Sequence, residues 1–387
     1  MKNYDLIIAG GGAAGLSLAY YLSLSSLRKK SVLIIDKERK TKNDRTWGFW
    51  SNQKTAFDPI VHLNFKKLEF HSSTFSKTID LKDYSYNIIR GIDFYNFIRN
   101  HMSGFPNFEF LTADVKGFQD SEDGAVVLTD SGDFKAGWVF SSIYDEKEIL
   151  RAASAKLYLR QHFKGLFIKT EEPVFSKDSF RMFDFRTPQH GLMRFFYVIP
   201  SSSTEALVEY TLFSEHLLTP EQYNEAIENY IASVLKINDY EVMEEEFGVI
   251  PMTNYLFPTT RGRHIVNTGS AGGSSKPSSG YTFLRIQKHI QRLVRAMEAG
   301  QSPVISANST ARYRFYDAVL LNILKNKGHL SENIFTAMFK NNSIQQIFRF
   351  LDEEGGLPND LKIITSLPPL PFLKSTINLV SGGFVST

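Results

Sequence analysis

Tyr4-Asp5-Leu6-Ile7-Ile8-Ala9 is a β-favouring apolar run that ends abruptly in Gly10-Gly11-Gly12, followed by Ala13-Ala14-Gly15 and a further apolar stretch to Leu24. The first run reads as a buried parallel strand and Ala13 to Leu24 as a helix, with the glycines joining them. Gly10 permits the tight turn, Gly12 lets the backbone approach a pyrophosphate, and Gly15 lets helix and strand pack closely. The unpaired N–H groups at Ala13 and Ala14 then face the phosphates. A second strand, Ser31-Val32-Leu33-Ile34-Ile35, ends at Asp36, 21 residues after Gly15, where a carboxylate can accept ribose hydroxyls. A glycine motif alone is a weak signal. Strand, turn, helix, strand and terminal acid in register predict a Rossmann-type dinucleotide site.

The bulk of the chain narrows what else it can do. At 387 residues it is long enough for two intertwined subdomains and a large internal cavity. Lys and Arg (44) nearly balance Asp and Glu (41), so the net charge of +3 gives no single-sign field of the kind nucleic acid requires. The absence of cysteine removes disulfides, thiolate metal sites and a cysteine nucleophile, and no metal site is expected. Glycines interrupt the apolar stretch from Tyr4 to Leu24, and no other run of about twenty apolar residues occurs, so any membrane contact is expected to be peripheral. Aromatic residues make up 13% of the chain, which suits an apolar, π-rich ligand as well as a large core.

A second Gly/Ser-rich segment, Gly269 to Tyr281, follows the strand-like His264-Ile265-Val266-Asn267 and precedes an apolar helix, Thr282 to Met297. It is expected to return to the cofactor, with Gly269, Gly273, Pro277 and Gly280 as contacts; the alternative is a surface linker. Trp138 to Ser142 reads as another returning strand. Short alternating strands at Phe108–Leu111, Ala125–Leu128, Phe180–Phe185 and Arg194–Ile199 are expected in a substrate lobe. On a strand from Ala206 to Phe213, alternation puts Leu207, Glu209, Thr211 and Phe213 on one face and Val208, Tyr210 and Leu212 on the other. Glu209 thus stands between apolar neighbours, and burial is expected to raise its pKa. The alternative is a surface carboxylate. From Tyr313 to Leu351 apolar stripes predict helices, and Leu367 to Val380 is an apolar segment punctuated by prolines that suits a membrane-dipping edge; the alternative is a loosely packed tail.

Five ordered blocks give the chain a resemblance to the FAD-dependent lycopene cyclase family over nearly its whole length. They are Asp44-Arg45-Thr46-Trp47-Gly48-Phe49-Trp50; Leu207-Val208-Glu209-Tyr210-Thr211; Glu246-Phe247-Gly248-Val249-Ile250-Pro251-Met252; Gly269 to Tyr281; and Leu367-Pro368-Pro369-Leu370-Pro371-Phe372-Leu373. The resemblance implies a lycopene β-cyclase that needs reduced FAD, forms β-ionone rings without net redox change, and uses NAD(P)H only indirectly, to reduce the flavin. It makes Glu209 the catalytic acid, with Asp44, Arg45, Trp47 and Glu246 as supporting candidates. Tyr210 departs from the second acidic residue of that motif, which puts a shared-proton carboxylate pair in doubt. Glu246 sits in the run Glu244-Glu245-Glu246, and such runs are usually solvated. Arg90, opening a helix through His101, is placed by analogy against the cofactor; the alternative is a surface arginine.

The implied architecture is α/β: a Rossmann-type FAD-binding domain of the aromatic-hydroxylase type, interleaved with a β-sheet substrate domain and a helical C-terminal cap. Residues 1–74 and 250–300 are expected to form the FAD lobe. Residues 75–249 form mainly the substrate lobe, with returning FAD-lobe segments near 84–105 and 136–160, and 301–387 the cap and apolar tail. The implied partners are lycopene or a related acyclic carotenoid and the inner face of the cell membrane, with the protein in the cytoplasm. Two rival readings share the opening fold: a flavin monooxygenase or halogenase, and a non-catalytic flavoprotein that binds a carotenoid or lipid. Hydroxylases usually carry Gly-Asp where Gly269-Ser270 stands, and the W-x-W-x-I-P of halogenases is missing.

Overall fold

The computed structural model describes residues 2–152 and 157–381; the expected segments 136–160 and 301–387 therefore lie in part, at 153–156 and 382–387, outside the described residues. The first strand, Lys2–Ala9, lies inside its sheet because it is apolar on both faces, Leu6 and Ile8 packing to one side and Ile7 to the other. It pairs in parallel with Val32–Asp36 and with Gly132–Ser141. Phe108–Thr112 extends the sheet beyond Val32–Asp36, and Ile265–Asn267 adds to Gly132–Ser141, both in parallel. The antiparallel strands Gly124–Thr129 and Val115–Ser121 complete seven. Helices Ala13–Ser23, Gly91–Met102 and Phe283–Glu298 cover one face through Leu16, Phe94, Ile98, Phe283 and Ile290.

Two strands expected in the substrate lobe thus belong to the nucleotide lobe: Phe108–Thr112 and Gly124–Thr129 hydrogen-bond into the sheet of the first strand. Conversely, Lys67–His71, inside the first 74 residues, and Tyr158–Lys169, which begins within the 136–160 segment, lie in the second sheet. The reason is physical. Short alternating strands look alike in any half-buried sheet, and the partner that decides their place is remote in sequence.

The second sheet runs Glu241–Thr253, Tyr158–Lys169, Glu205–Ser214, Met193–Pro200, Ser179–Asp184, Lys67–His71, Ser76–Asp80. Its pairs are antiparallel except for Ser179–Asp184 on Lys67–His71. Leu207 and Phe213 pack from one face against the cap, whereas Val208, Tyr210 and Leu212 pack from the other against helix Pro220–Tyr230, as the period of two predicts. A three-stranded sheet, Thr46–Ser51, Ser85–Arg90 and Leu63–Phe65, lies apart from both larger sheets. The cap comprises helices Ala311–Lys327, Ser331–Asn341, Ile344–Leu351, Gly356–Thr365 and Pro369–Ser381. The apolar C-terminal segment is therefore a helix, with Ser375 and Leu379 buried and Leu370, Leu373, Ile377 and Val380 exposed. Among the described residues no helix is long and apolar enough to cross a membrane.

Candidate active site

At the N-terminal end, the backbone of Gly10 adopts φ +108°, and a side chain there would collide with the Ser142 hydroxyl. A Cβ at Gly15 would strike the Gly10 carbonyl, whereas one at Gly12 would meet nothing within 4 Å. The helix start at Ala13 thus looks onto open space of the kind a pyrophosphate needs. Asp36 is aimed at the same turn, its Oδ2 accepting from the Gly11 N–H at 2.6 Å and its Oδ1 from the Glu38 N–H at 2.9 Å. The return segment arrives here too. Gly269, at φ +57°, lies so close to Ala14 that a Cβ would sit 2.8 Å from the Ala14 Cβ.

The other residues expected at the cofactor fall into two groups. Gly280 borders the cleft described below; a side chain there would collide with Gln161, whose buried Oε1 has no hydrogen-bond partner among the described residues. Pro277 begins the turn closed by the Gly280 N–H on the Lys276 carbonyl at 2.8 Å. Gly273 instead packs on Asn308 and Phe257, and Arg90 is turned to Asp93, its Nε donating at 2.7 Å. Neither Gly273 nor Arg90 lines the cleft.

Glu209 lies where the second sheet meets this lobe, in a cleft of about 300 Å³ whose walls include Thr46, Trp47, Tyr86, Gln161, Tyr197, Gly280 and Phe283. Its partner carboxylate is Glu246. Both stand in register with Gly165 of the strand between them, one on each side. Gly165 has no side chain to fill the gap: a Cβ would lie 2.7 Å from Leu207 Cδ1 and 3.1 Å from Glu246 Cγ. The two acids therefore hydrogen-bond to each other over a glycine. Thr211 donates to Glu209 Oε1 and Thr46 to Glu246 Oε2, each at 2.7 Å.

Desolvation and the facing carboxylate hold Glu209 well above the usual carboxylate range, and burial raises Glu246 as well. Two such acids share one proton. The solvated-run reading holds for Glu244 and Glu245, which are exposed, but Glu246 turns inward. The pair that Tyr210 put in doubt is thus built from a different strand. Tyr210 lies on the opposite face, where its hydroxyl accepts from Arg194 Nη1 at 3.0 Å. Thr46 and Thr211 lie inside two of the family blocks without a role being expected of them, and Gly165 lies in none. The signal for Gly165 was an isolated glycine amid apolar strand residues, which marks a close approach.

The residues Asp44 to Trp50 divide their work. Asp44 accepts from Tyr95 at 2.7 Å and from Lys40 at 3.2 Å, which anchors the start of the strand. Arg45 lies exposed at the cleft, near enough for its charge to oppose the rise at Glu246. Trp47 stacks on Phe283 with centroids 5.5 Å apart and forms part of the cleft wall. Trp50 donates to Asp352 at 2.8 Å and stacks flat on Phe348 of the cap at 4.5 Å.

Behind the cleft lies an apolar chamber of about 150 Å³, walled by Phe183, Phe195, Leu320, Phe335, Met338 and Phe372 among others. A void of that size, left dry, costs about 4 kcal/mol. Its charged border is satisfied: Lys276 donates to both oxygens of Asp317, at 2.8 and 2.9 Å, and to Glu353 at 2.9 Å. Among the described residues no group of three or more His, Asp or Glu could hold a metal ion.

The sequence model of the lycopene cyclase family, "Lycopene cyclase protein", matches residues 5–377. The chain belongs to this family. No curated protein sequence matches it. Three solved structures share the fold at low identity. A flavoprotein/dehydrogenase from Cytophaga hutchinsonii has a TM-score of 0.64 at 15% identity, covering 98% of this chain and 100% of the other. p-Nitrophenol 4-monooxygenase from Pseudomonas putida gives 0.60 at 15%, covering 100% of both. A geranylgeranyl bacteriochlorophyll reductase-like protein from Thermoplasma acidophilum gives 0.59 at 13%, covering 99% of this chain and 100% of the other. The expected fold class, a Rossmann-type FAD-binding architecture with an interleaved sheet lobe and helical cap, is the one observed.

Proposed function

We propose that this lycopene cyclase family member is a lycopene β-cyclase, an intramolecular lyase that closes β-ionone rings on the ends of an acyclic carotenoid without net redox change. The observation that carries the reading is the Glu209–Glu246 pair, held protonated inside an aromatic cleft at the dinucleotide end. Glu209 gives its proton to the terminal double bond of the chain, leaving a tertiary cation. A second double bond attacks the cation to close the ring, and a neighbouring C–H proton leaves to the carboxylate, which restores the acid. Atoms and electrons balance, and no redox partner is consumed. Glu246 keeps the transferred proton within the pair, while Thr46 and Thr211 fix the carboxylates in place. The rings of Trp47, Tyr86, Tyr197 and Phe283 present π faces, which stabilise a desolvated cation by about 2 kcal/mol.

The fit to FAD rests on the open space above Gly12, the helix start at Ala13 and Ala14, the aim of Asp36 and the approach of Gly269. Bound in its reduced form, the flavin would supply electron-rich character that stabilises positive charge in the cleft. A nicotinamide would serve only to reduce it. Hydroxylation or halogenation, the rival chemistries, give the carboxyl pair no task.

The substrate class implies a lipid surface. Helices Gly356–Thr365 and Pro369–Ser381 expose Leu357, Leu361, Leu370, Leu373, Ile377 and Val380, together with Lys362 and Lys374, while the one acid between 357 and 381, Asp360, is buried. An exposed apolar face whose two helices expose Lys362 and Lys374 and no acid suits the anionic inner face of a cell membrane. The deciding experiment is Glu209→Gln, assayed with lycopene and reduced FAD under anaerobic conditions. Ring formation should fall by about 10²–10⁴-fold with flavin still bound; retained turnover would remove Glu209 from the chemistry.

A further inference from the structure

The apolar chamber and the carboxylate cleft share three wall residues, Tyr197, Ser279 and Tyr281. The partition between them is one side chain thick. Tyr281 is its centre. The ring lies 4.3 Å from Trp50, edge to face, and its hydroxyl meets those of Tyr86 at 3.3 Å and Tyr197 at 3.4 Å. Both hydrogen bonds are long and therefore weak. The neighbouring structure supports the same arrangement from both sides. Gly48 has no side chain because Tyr86 occupies the space, and Gly280, at φ +74°, supports a backbone turn next to Tyr281 that a side chain would strain.

The chamber's other end lies against the surface. Leu367, Phe372 and Thr376 wall it, and the last two belong to helix Pro369–Ser381, whose outer side exposes Leu370, Leu373, Ile377 and Val380. One helix thus separates an exposed apolar surface from an apolar void, and one tyrosine separates that void from Glu209. A dry 150 Å³ cavity has room for a benzene-sized group, comparable to a short isoprenoid stretch.

We propose that this chamber binds the stretch of apolar chain behind the reacting end, and that Tyr281, braced by Tyr86, Tyr197 and Trp50, is the positioning residue that sets how far a chain end reaches toward Glu209. This rests on the cyclase reading for its substrate, an acyclic C40 hydrocarbon. The geometry makes two separable demands: the chamber governs binding, and the neck governs reach.

The test uses the full-length protein carrying flavin, with lycopene in detergent micelles as the probe. Pigment retention is read by absorbance after gel filtration, and ring formation by chromatography of the extracted pigment. Tyr281→Trp fills the neck, and is expected to hold pigment within threefold of the wild type while ring formation falls at least tenfold. Leu320→Trp fills the chamber, and is expected to lose pigment retention at least tenfold. A merely structural role for Tyr281 would lower both readouts together, along with flavin retention. Should Tyr281→Trp not fold, Tyr281→Ala widens the neck and is expected to raise retention of a carotenoid already ringed at one end at least threefold. Wild-type ring formation in Tyr281→Trp, unchanged retention in Leu320→Trp, or unchanged retention of the ringed pigment in Tyr281→Ala overturns the proposal. If the wild type retains pigment but makes no ring, the cyclase reading fails while the chamber is still judged by Leu320→Trp.

Discussion

Gly165→Ala tests the acid pair at its narrowest point. The added methyl would sit 2.7 Å from Leu207 Cδ1 and 3.1 Å from Glu246 Cγ. The Leu207 contact forces a shift in a side chain only 3% exposed, and the Glu246 contact is tight enough to press that carboxylate off its position as well. Overpacking of this kind costs roughly 1–3 kcal/mol of stability. The larger effect is electrostatic and geometric. Two carboxylate charges about 4 Å apart interact by about 4 kcal/mol at an effective dielectric of about 20, and by about 3 kcal/mol at about 5 Å. Separating the pair by that much should bring its two macroscopic pKa values about half a unit closer, so that the acid form is lost at lower pH. A displacement of about 1 Å at a reacting group also lowers the rate by up to about 100-fold. The assay is the pH profile of ring formation under anaerobic conditions with reduced FAD, beside a urea titration of the same variant. Ten- to 100-fold lower kcat, with the alkaline limb moved to lower pH, is the expected outcome. Wild-type kcat and an unmoved limb in a folded Gly165→Ala protein would refute the claim that the glycine brings the two acids together.

Three further outcomes follow from other parts of the structure. Burial lifts Asp352 from 3.8 to about 6. Between those values the folded protein keeps a proton that the unfolded chain has released, so stability falls as pH rises through the window and the loss is complete above it. Asp352→Asn keeps an acceptor for Trp50 and should be more stable than the wild type at pH 8, by about 1–2 kcal/mol after allowing for partial exposure, with the gain gone at pH 4; equal urea midpoints at pH 8 would contradict this. Lys276→Met leaves the buried Asp317 and Glu353 without their shared cation, and should cost about 3–5 kcal/mol in a urea titration; a cost below about 1 kcal/mol would mean that the pair contributes little to the fold. Leu373→Asp with Ile377→Asp, both on the exposed side of the last helix, should reduce co-sedimentation with anionic vesicles at least tenfold with the fold retained; undiminished co-sedimentation would place the lipid contact elsewhere.

What was legible in the sequence was what short-range periodicity governs. The strand carrying Glu209 alternates with a period of two, so its two faces follow directly, and burial on one of them foretold the raised acidity. The glycine turn at Gly10 to Gly15 was legible because each glycine answers a local steric demand. Phe108–Thr112 and Gly124–Thr129 were misplaced because strand character does not name a partner. Glu246 was undervalued for a related reason. Its neighbours Glu244 and Glu245 are solvated, and only the register across Gly165 separates its fate from theirs. Arg90 was carried to the cofactor by analogy, but the structure ties it to Asp93, three residues along its own helix. The Lys276–Asp317–Glu353 cluster joins residues far apart in the chain and left no local trace.

The order in which the parallel sheet is assembled has a consequence for biosynthesis. Its first three strands leave the ribosome early, but the fourth strand of the parallel set ends at Ser141 and the last at Asn267, and the helix covering them ends at Glu298. Long-range parallel pairings of this kind form late. The nascent polypeptide therefore has no finished nucleotide pocket until the segment ending at Glu298 has been translated, so the pocket cannot be filled before the strands on both sides of the second sheet have been made.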